Sequence, residues 1–286
     1  MPRPVPAVLS IAGSDSGGGA GIQADLKAFA RCGVHGMTAI TALTAQNTVG
    51  VTGVHTVPAE FIVEQVRAVA EDIGVDAVKI GMLGTAETVE AVARALELLE
   101  DGVPVVIDPV MVAESGAVLL DDVARRAMVE LLLPMATVIT PNLPEARVLA
   151  GEDRRGAAGD AAARGSDAED LARALHALGP ANVVVTGGHR LQATDVFFDG
   201  TSIELIPGDR HPDGAAHGSG CTHSSALAAH LALGYSPIEA ARAAKQIAGK
   251  AIRNGLRDLG AGAGPVDVFD LTARASQSPA SAEVAR

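Results

Sequence analysis

The chain has 286 residues, enough for one large domain or two small ones, and 48% of them are hydrophobic while 20% are charged. This composition is typical of a compact globular protein and excludes a disordered one. The formal net charge of -12, with five Phe, one Tyr and no Trp, argues against a nucleic-acid surface, because phosphates would be repelled and few rings could stack on bases.

Cysteine usage and hydropathy indicate the cellular compartment. No apolar run reaches the ~18 residues of a membrane span, and Met1–Pro6 leads straight into an apolar strand without the charged and apolar segments of a secretion signal. Cys32 and Cys221 lie far apart and form neither a Cys-x-x-Cys nor a zinc spacing. We therefore expect a cytoplasmic protein with no membrane partner, no disulfide framework and no structural zinc.

In chain order, short β-branched runs alternate with longer helical patterns, which is typical of βαβ units around a mainly parallel sheet. The predicted strands are Ala7–Ala12, Thr38–Thr44, Ala77–Ile80, Val103–Ile107, Thr137–Thr140 and Val183–Thr186. The predicted helices cover residues 20–32, 58–73, 85–101, 121–133, 142–150, 167–178, 220–233 and 237–255. The pattern predicts a doubly wound α/β fold.

Two stretches depart from this alternation. Val49–Val57 predicts a small strand or flap that crosses off the main sheet, and Asp195–Ile206 predicts a hairpin that turns at Asp199-Gly200. Residues 151–166 are rich in Gly, Ala, Arg and Asp and are expected to form a mobile loop. We expect one domain over residues 1–272 and a flexible Ser/Ala-rich tail over 273–286.

A glycine-rich segment, Gly13–Gly21, follows the first predicted strand and opens the first helix. Its glycines allow close approach of a ligand to backbone N–H groups at a positive helix end. A plain strand-to-helix turn is one alternative. A dinucleotide site is another, since Gly19-x-Gly21-x-x-Ala24 fits that pattern, but the ribose-binding acid expected ~20 residues later is missing between Asp25 and Glu60.

A second glycine motif, His217–Thr222, precedes the helical run Ser224–Leu233. Gly-x-Gly before a helix directs several free N–H groups at one point, where they could stabilise a phosphoryl group in transfer. Cys221 would lie at the helix N-terminus, where a thiolate is favoured and the pKa can fall to ~3.5–7.5. The alternative for Cys221 is a buried, inert thiol, which is also our interpretation of Cys32.

Polar side chains follow two further predicted strands. Asp108 ends the run Val105–Ile107, and Asn142 and Glu145 lie three residues apart where the next helix begins. Such oxygen ligands suit Mg²⁺ at the carboxyl edge of a parallel sheet, although a helix cap explains each of them alone. Combined with a glycine anion hole, they indicate phosphoryl transfer without a P-loop, and a Gly-x-Ser-x-Gly hydrolase elbow is also missing.

The glycine-rich start and six further motifs together carry a family resemblance. The six further motifs are Thr44–Thr48, Lys79–Leu83, Asp108–Met111, Thr140–Ala146, Gly187-Gly188-His189 and His217–Thr222. In this order, from about Val8 to Val266, the chain resembles the hydroxymethylpyrimidine/phosphomethylpyrimidine kinases of thiamine biosynthesis. The resemblance implies a ribokinase-like three-layer α/β/α fold with a mainly parallel sheet and a small β flap, ATP and Mg²⁺ as cofactors, and a homodimer.

The resemblance also implies roles for individual residues. It implies an anion hole of Gly218, Ser219, Gly220 and Cys221, in which Cys221 activates the substrate hydroxyl. It implies that Asp108 and Glu145 serve the metal and that Asn142, Thr186 and Gly188 bind ATP. The residues implied to line the pyrimidine pocket are Gly13, Ala20, Asp25, Gln46, Gly81, Met82 and Val110.

The chain departs from this family at three positions. Thr186 stands where many relatives have Lys, so one positive charge near the ATP phosphates is missing. Ser219 stands where Thr is frequent, and Gln46 where some relatives have Glu. The expected activity is phosphorylation of the hydroxymethyl aminopyrimidine to its monophosphate and then its diphosphate. The alternatives are a pyridoxal or pyridoxine kinase and a non-catalytic nucleotide-binding regulator. The presence of Asp108, Glu145 and Cys221 argues against the regulator.

Overall fold

The computed structural model describes residues 4–112, 116, 119–151, 167–188 and 193–276. The expected mobile loop after Gly151, His189 of the Gly-Gly-His motif, and the expected flexible tail from residue 277 onward lie outside the described residues.

One sheet of nine strands, counted over the described residues, forms the centre of the molecule. Its strands, β1 to β9, are Ala7–Asp15, His35–Gln46, Val51–Thr56, Ala77–Ile80, Val105–Ile107, Val138–Ile139, Asn182–Val185, Asp195–Phe198 and Ile203–Ile206. Their order in space is β3-β2-β1-β4-β5-β6-β7-β8-β9. Six neighbouring strands are parallel, namely β2, β1, β4, β5, β6 and β7, while β3, β8 and β9 pair antiparallel at the two edges.

Helices cover both faces of this sheet. The helices α1 to α9 are Gly21–Cys32, Ala59–Asp72, Ala86–Leu96, Asp122–Ala127, Leu143–Leu149, Asp167–His176, Ser219–Ala232, Pro237–Arg253 and Leu271–Ser276. Alternate residues of β1 serve the two sides, since Leu9 and Ile11 join the apolar cluster under α2 to α6, whereas Val8 joins the cluster under α1, α7 and α8. The result is the expected three-layer α/β/α fold.

The periodicity predicted the parallel strands and the hairpin from β8 to β9 correctly, and the structure differs from three further expectations in detail. The expected flap does not leave the sheet, because β3 pairs with Ala42–Gln46 of β2 as an edge strand. The helix expected over 121–133 stops at Ala127 and continues as a π-helical turn and then a 3₁₀ turn that contains Pro134. Helix α9 reaches Ser276, into the region expected to be flexible.

The parallel strands bring the polar motifs to one edge of the sheet. Asp108 follows β5, Asn142 follows β6 and Thr186 follows β7, while the glycine-rich segment follows β1. Because the carboxyl ends of parallel strands share an edge, these residues meet there.

We expect buried residues of the central strands to contribute more to the stability of this fold than exposed residues of the edge strands. Leu9 of β1 is fully buried between layers, whereas Leu205 of edge strand β9 is 56% exposed. We expect Leu9→Ala to lower the free energy of unfolding by about 2–5 kcal/mol, and Leu205→Ala to leave it nearly unchanged, in urea denaturation followed by circular dichroism. Equal losses in the two variants would contradict this assignment of the core.

Candidate active site

A cavity of about 660 Å³ opens at the carboxyl edge of the sheet. It gathers most of the residues that the sequence singled out. Those that line it are Gly13, Ala20, Gln46, Met82, Asp108, Val110, Asn142, Glu145, Thr186, Gly218, Ser219, Gly220 and Cys221.

A second cavity of about 580 Å³ adjoins the first and is lined by Gly188 among others. Four residues, Thr186, Ser219, Gly220 and His223, line both cavities. Two molecules bound in the two cavities would therefore face each other at the N-terminus of α7. This is the arrangement that group transfer between two substrates requires.

Free backbone donors lie at this meeting point. Gly218, the N-cap of α7, has a φ of 81°, and a Cβ there would stand 1.8 Å from the carbonyl oxygen of Gly19, so only glycine fits. Within the described residues, the N–H groups of Gly218, Gly220 and Cys221 have no acceptor, whereas that of Ser219 donates to the carbonyl of Ala216 at 2.9 Å. Three of the four expected anion-hole N–H groups are therefore available to a ligand.

The expected thiolate at Cys221 is not supported by its surroundings. Burial raises the pKa of its thiol to about 12; Lys79 and an N–H of Gly21 oppose this rise, while the carboxylates of Asp25 and Asp108 add to it. The helix N-terminus that we expected to favour the thiolate does not outweigh desolvation and two nearby negative charges. Cys221 is a thiol at neutral pH in the free protein.

Behind Cys221 lies a buried ion pair. Lys79 of β4 and Asp25 of α1 are both fully buried, with Nζ 3.0 and 3.1 Å from the two carboxylate oxygens of Asp25. The hydroxyls of Ser10 and Ser225 also donate to Asp25, at 2.6 and 2.7 Å. Burial alone would lower the pKa of Lys79, but Asp25 and the groups of opposite sign around it raise the pKa above its usual value.

Asp25 and Gly81, which the resemblance implied in the pyrimidine pocket, line neither cavity. Lys79, which does line the first cavity, was missed as a functional residue. Its signal was present in the sequence, since a lysine inside the apolar strand Ala77–Ile80 must be buried and needs a carboxylate partner.

Asp108 connects this ion pair to the cavity. Its Oδ2 lies 3.9 Å from Lys79 Nζ and accepts a hydrogen bond of 3.1 Å from Ser224 of α7. No described residue donates a hydrogen bond to Oδ1, which leaves that oxygen to a ligand. Burial raises the pKa of Asp108, and Lys79 and Ser224 offset this only in part.

Asn142 and Glu145 form a capping box at the start of α5, which the sequence had left as the alternative to a ligand role. The Asn142 side chain accepts from the Glu145 N–H, and the Glu145 carboxylate accepts from the Asn142 N–H, both at 2.9 Å. Burial and the nearby carboxylate of Asp108 raise the pKa of Glu145 to about 8. The capping box therefore holds the carboxylate of Glu145 near that of Asp108.

The glycine-rich segment does not offer the free N–H groups that we expected. Asp15 accepts from Gly17, Gly19 and Ala20 at 2.8, 3.0 and 2.8 Å, and its Oδ2 lies 3.2 Å from Nε2 of His217. Burial tends to raise the pKa of Asp15, but these contacts outweigh it and lower the pKa below its usual value. The segment folds around its own aspartate and is a wall of the cavity, not an anion cradle.

The second cavity contains a positively charged side chain, that of Lys245, although Thr186 itself carries no charge. Lys245 of α8 lies 2.5 Å from Oδ1 of the buried Asp195, which also accepts the N–H of Gly187 at 2.7 Å. Nε2 of His223 is 3.5 Å from Oδ2 of Asp195, and neither ring nitrogen of His223 has a hydrogen-bond partner in the described part of the chain. Burial lowers the pKa of His223, so its ring is neutral near pH 7.

A family model and known relatives match this chain over most of its length. The family model described as phosphomethylpyrimidine kinase matches residues 15–267. A hydroxymethylpyrimidine/phosphomethylpyrimidine kinase from Rhizobium meliloti is 50% identical over 264 residues, which are 91% of this chain and 96% of the relative. A counterpart from Streptomyces coelicolor is 46% identical over 92% of this chain and 94% of its own.

Solved structures agree on the fold. A pyridoxal kinase from Staphylococcus aureus in complex with ADP superposes with a TM-score of 0.83 at 34% identity, covering 94% of this chain and 95% of that one. A phosphomethylpyrimidine kinase from Clostridium difficile 630 gives a TM-score of 0.71 at 38% identity, covering 84% and 96%. No helix in the described ranges is long and apolar enough to span a membrane.

The raised pKa of Cys221 predicts low thiol reactivity. With a pKa of about 12, about one thiol in 10⁴ is ionised at pH 8. We expect iodoacetamide to modify Cys221 far more slowly than the same cysteine in urea-unfolded chain, and the rate to rise about tenfold per pH unit between pH 7 and 9, as measured by peptide mass spectrometry. Fast modification that has already levelled off at pH 7 would show a thiolate instead.

Proposed function

Because the chain belongs to the phosphomethylpyrimidine kinase family, we propose that it transfers the γ-phosphoryl group of ATP to 4-amino-5-hydroxymethyl-2-methylpyrimidine and then to the resulting monophosphate. The observation that carries this proposal is the meeting of two cavities at the three free N–H groups of α7. A phosphoryl group in transfer gathers negative charge on its equatorial oxygens, and oriented N–H groups at a helix N-terminus stabilise that charge.

We assign the pyrimidine to the first cavity and ATP to the second. The first contains Gln46, whose amide offers both a donor and an acceptor to an aminopyrimidine. The second contains Gly188 and Lys245 beside the shared residue Thr186. Lys245 supports the assignment, since it provides a positive charge on the nucleotide side that Thr186 cannot provide.

The residues present fit a magnesium ion. No group of three or more His, Cys, Asp or Glu side chains that could hold a metal occurs in the described ranges, as is usual for Mg²⁺, which takes one or two carboxylates and completes its shell with water and phosphate. Asp108 offers Oδ1, and Glu145 supplies a second carboxylate in the same cavity. The ion would neutralise charge between ATP and these carboxylates.

Cys221 takes a different role from the one expected of it. Since it is a thiol in the free protein, we assign it to shaping the anion hole through its backbone N–H, while its sulfur accepts the N–H of Gly21. A loose phosphoryl-transfer transition state needs positioning and charge stabilisation more than early removal of the hydroxyl proton. Ser219 and Gly220 complete the turn that holds these groups.

We also propose that the protein forms a homodimer and is located in the cytoplasm. Exposed apolar side chains on the β2–β3 edge support an interface there, with Leu43 46%, Val49 64% and Val54 55% exposed. The two free, separated cysteines support a reducing compartment.

Pyridoxal phosphorylation is the second candidate, because the Staphylococcus aureus pyridoxal kinase shares the fold over 94% of this chain. A panel that measures ATP consumption with the hydroxymethyl aminopyrimidine, its monophosphate and pyridoxal separates the two. We expect turnover of both pyrimidines, with a kcat/KM at least about tenfold above that for pyridoxal. Turnover of pyridoxal alone would refute the proposal, and no ATP consumption with any acceptor would favour a non-catalytic regulator.

The magnesium assignment makes a separate prediction for Glu145. We expect Glu145→Gln, which retains an oxygen for the cap, to raise the Mg²⁺ concentration for half-maximal turnover by about tenfold or more, with a smaller change in pyrimidine KM. Glu239→Gln is a matched control, since Glu239 has the same capping-box position at the exposed start of α8. An unchanged Mg²⁺ requirement in Glu145→Gln would remove Glu145 from the metal site.

A further inference from the structure

Gln46 is held at the rim of the first cavity by its backbone. The Ser16 hydroxyl donates to the Gln46 carbonyl at 2.7 Å and accepts the Gln46 N–H at 2.8 Å. In addition, the ladder between β2 and β3 shifts register between Ala45 and Gln46, and such irregularities redirect side chains next to functional sites. The main chain therefore fixes where the Gln46 side chain starts, and its amide still needs a partner that fixes its orientation.

Thr44 is that partner, but its hydroxyl has fewer protons to donate than it has neighbouring acceptors. Its Oγ1 lies 3.0 Å from the carbonyl oxygen of Ser14 and also 3.0 Å from Oε1 of Gln46. Both neighbours are acceptors, but a hydroxyl carries one proton and can donate fully to only one of them. Thr44 is 8% exposed, so little water is available to compensate the acceptor that is left over.

A half-turn of the Gln46 amide solves the problem, because its oxygen and nitrogen have nearly the same shape and exchange places. Nε2 then donates to Thr44 Oγ1, and the Thr44 proton goes to the carbonyl oxygen of Ser14. The two donors between these three groups then each have one acceptor, and the second N–H of the Gln46 amide stays available to a ligand. We propose that Thr44 locks the Gln46 amide in this orientation and is thereby a positioning residue for acceptor specificity.

The lock sets the order of donor and acceptor on the free edge of the amide. The remaining N–H lies on the side of Thr44, and Oε1 lies away from it. An aminopyrimidine presents an exocyclic N–H next to a ring nitrogen, and its hydroxymethyl group must point to the anion hole, so only one order matches it. This inference rests on the proposed function, since it takes the aminopyrimidine as the acceptor.

Binding to two pyrimidines tests the lock directly. Isothermal titration calorimetry would compare 4-amino-5-hydroxymethyl-2-methylpyrimidine with its analogue that lacks the 4-amino group. We expect the wild type to prefer the amino compound by about tenfold or more, Thr44→Val to reduce that preference to about twofold or less, and Thr44→Ser to keep it. Thr41→Val is the matched control, because Thr41 is a buried threonine of the same strand that donates to Met82.

Each outcome is decisive. If the wild type bound neither pyrimidine, the proposed function would fail. If the wild type preferred the amino compound and Thr44→Val kept that preference, only the lock would be refuted, and parallel loss of both ligands in Thr44→Val would equally refute it by showing a structural role. Should Thr44→Val not fold, Thr44→Ala replaces it with the same expectations.

Discussion

A lysine and an aspartate without solvent exposure, Lys79 and Asp25, support the whole arrangement of the site. Their ion pair joins β4 to α1, and the hydroxyls of Ser10 and Ser225 attach β1 and α7 to the same carboxylate. A buried ion pair adds little net stability over apolar packing, but removal of one partner leaves an uncompensated charge. The pair therefore acts mainly as a geometric constraint that fixes where α7 begins relative to the sheet.

The same constraint sets the chemistry at the N-terminus of α7. Ser224, one turn inside the helix, donates to Asp108, so the carboxylate at the end of β5 and the free N–H groups of the helix keep a fixed separation. Burial raises the pKa of Cys221 to about 12, and the carboxylates of Asp25 and Asp108 add to this rise although Lys79 opposes it. A helix N-terminus favours anions, yet here the side chain at that end remains neutral, and its N–H groups are left to bind an anion from outside.

The sequence was informative where periodicity and strand ends decide the outcome. Parallel apolar strands predicted the sheet, and its carboxyl edge predicted that Asp108, Glu145 and the α7 motif would meet. The sequence was misleading where contacts between residues that are far apart in the chain decide the outcome. Asp15 accepts the N–H groups of its local neighbours Gly17, Gly19 and Ala20, but its contact with His217, which is 202 residues away, leaves no trace in the local sequence pattern. The effect of Asp25 and Asp108 on Cys221 likewise depends on tertiary packing and on burial, which no local pattern records.

The distribution of charge at this junction favours the proposed metal. Lys79 is buried and paired with Asp25, and the partly buried Lys245 is paired with Asp195, so part of the charge of each lysine is already balanced by an aspartate. Asp108 and Glu145 line the same cavity, and burial together with the Asp108 charge raises the pKa of Glu145 to about 8, so ionisation of both carboxylates there is unfavourable. The helix N-terminus offers only about half a positive charge against a triphosphate. Asp108 would hold a divalent cation bound here, and the positive charge of that cation would offset the repulsion between these negative charges, which the two lysines, each paired with an aspartate, offset only in part.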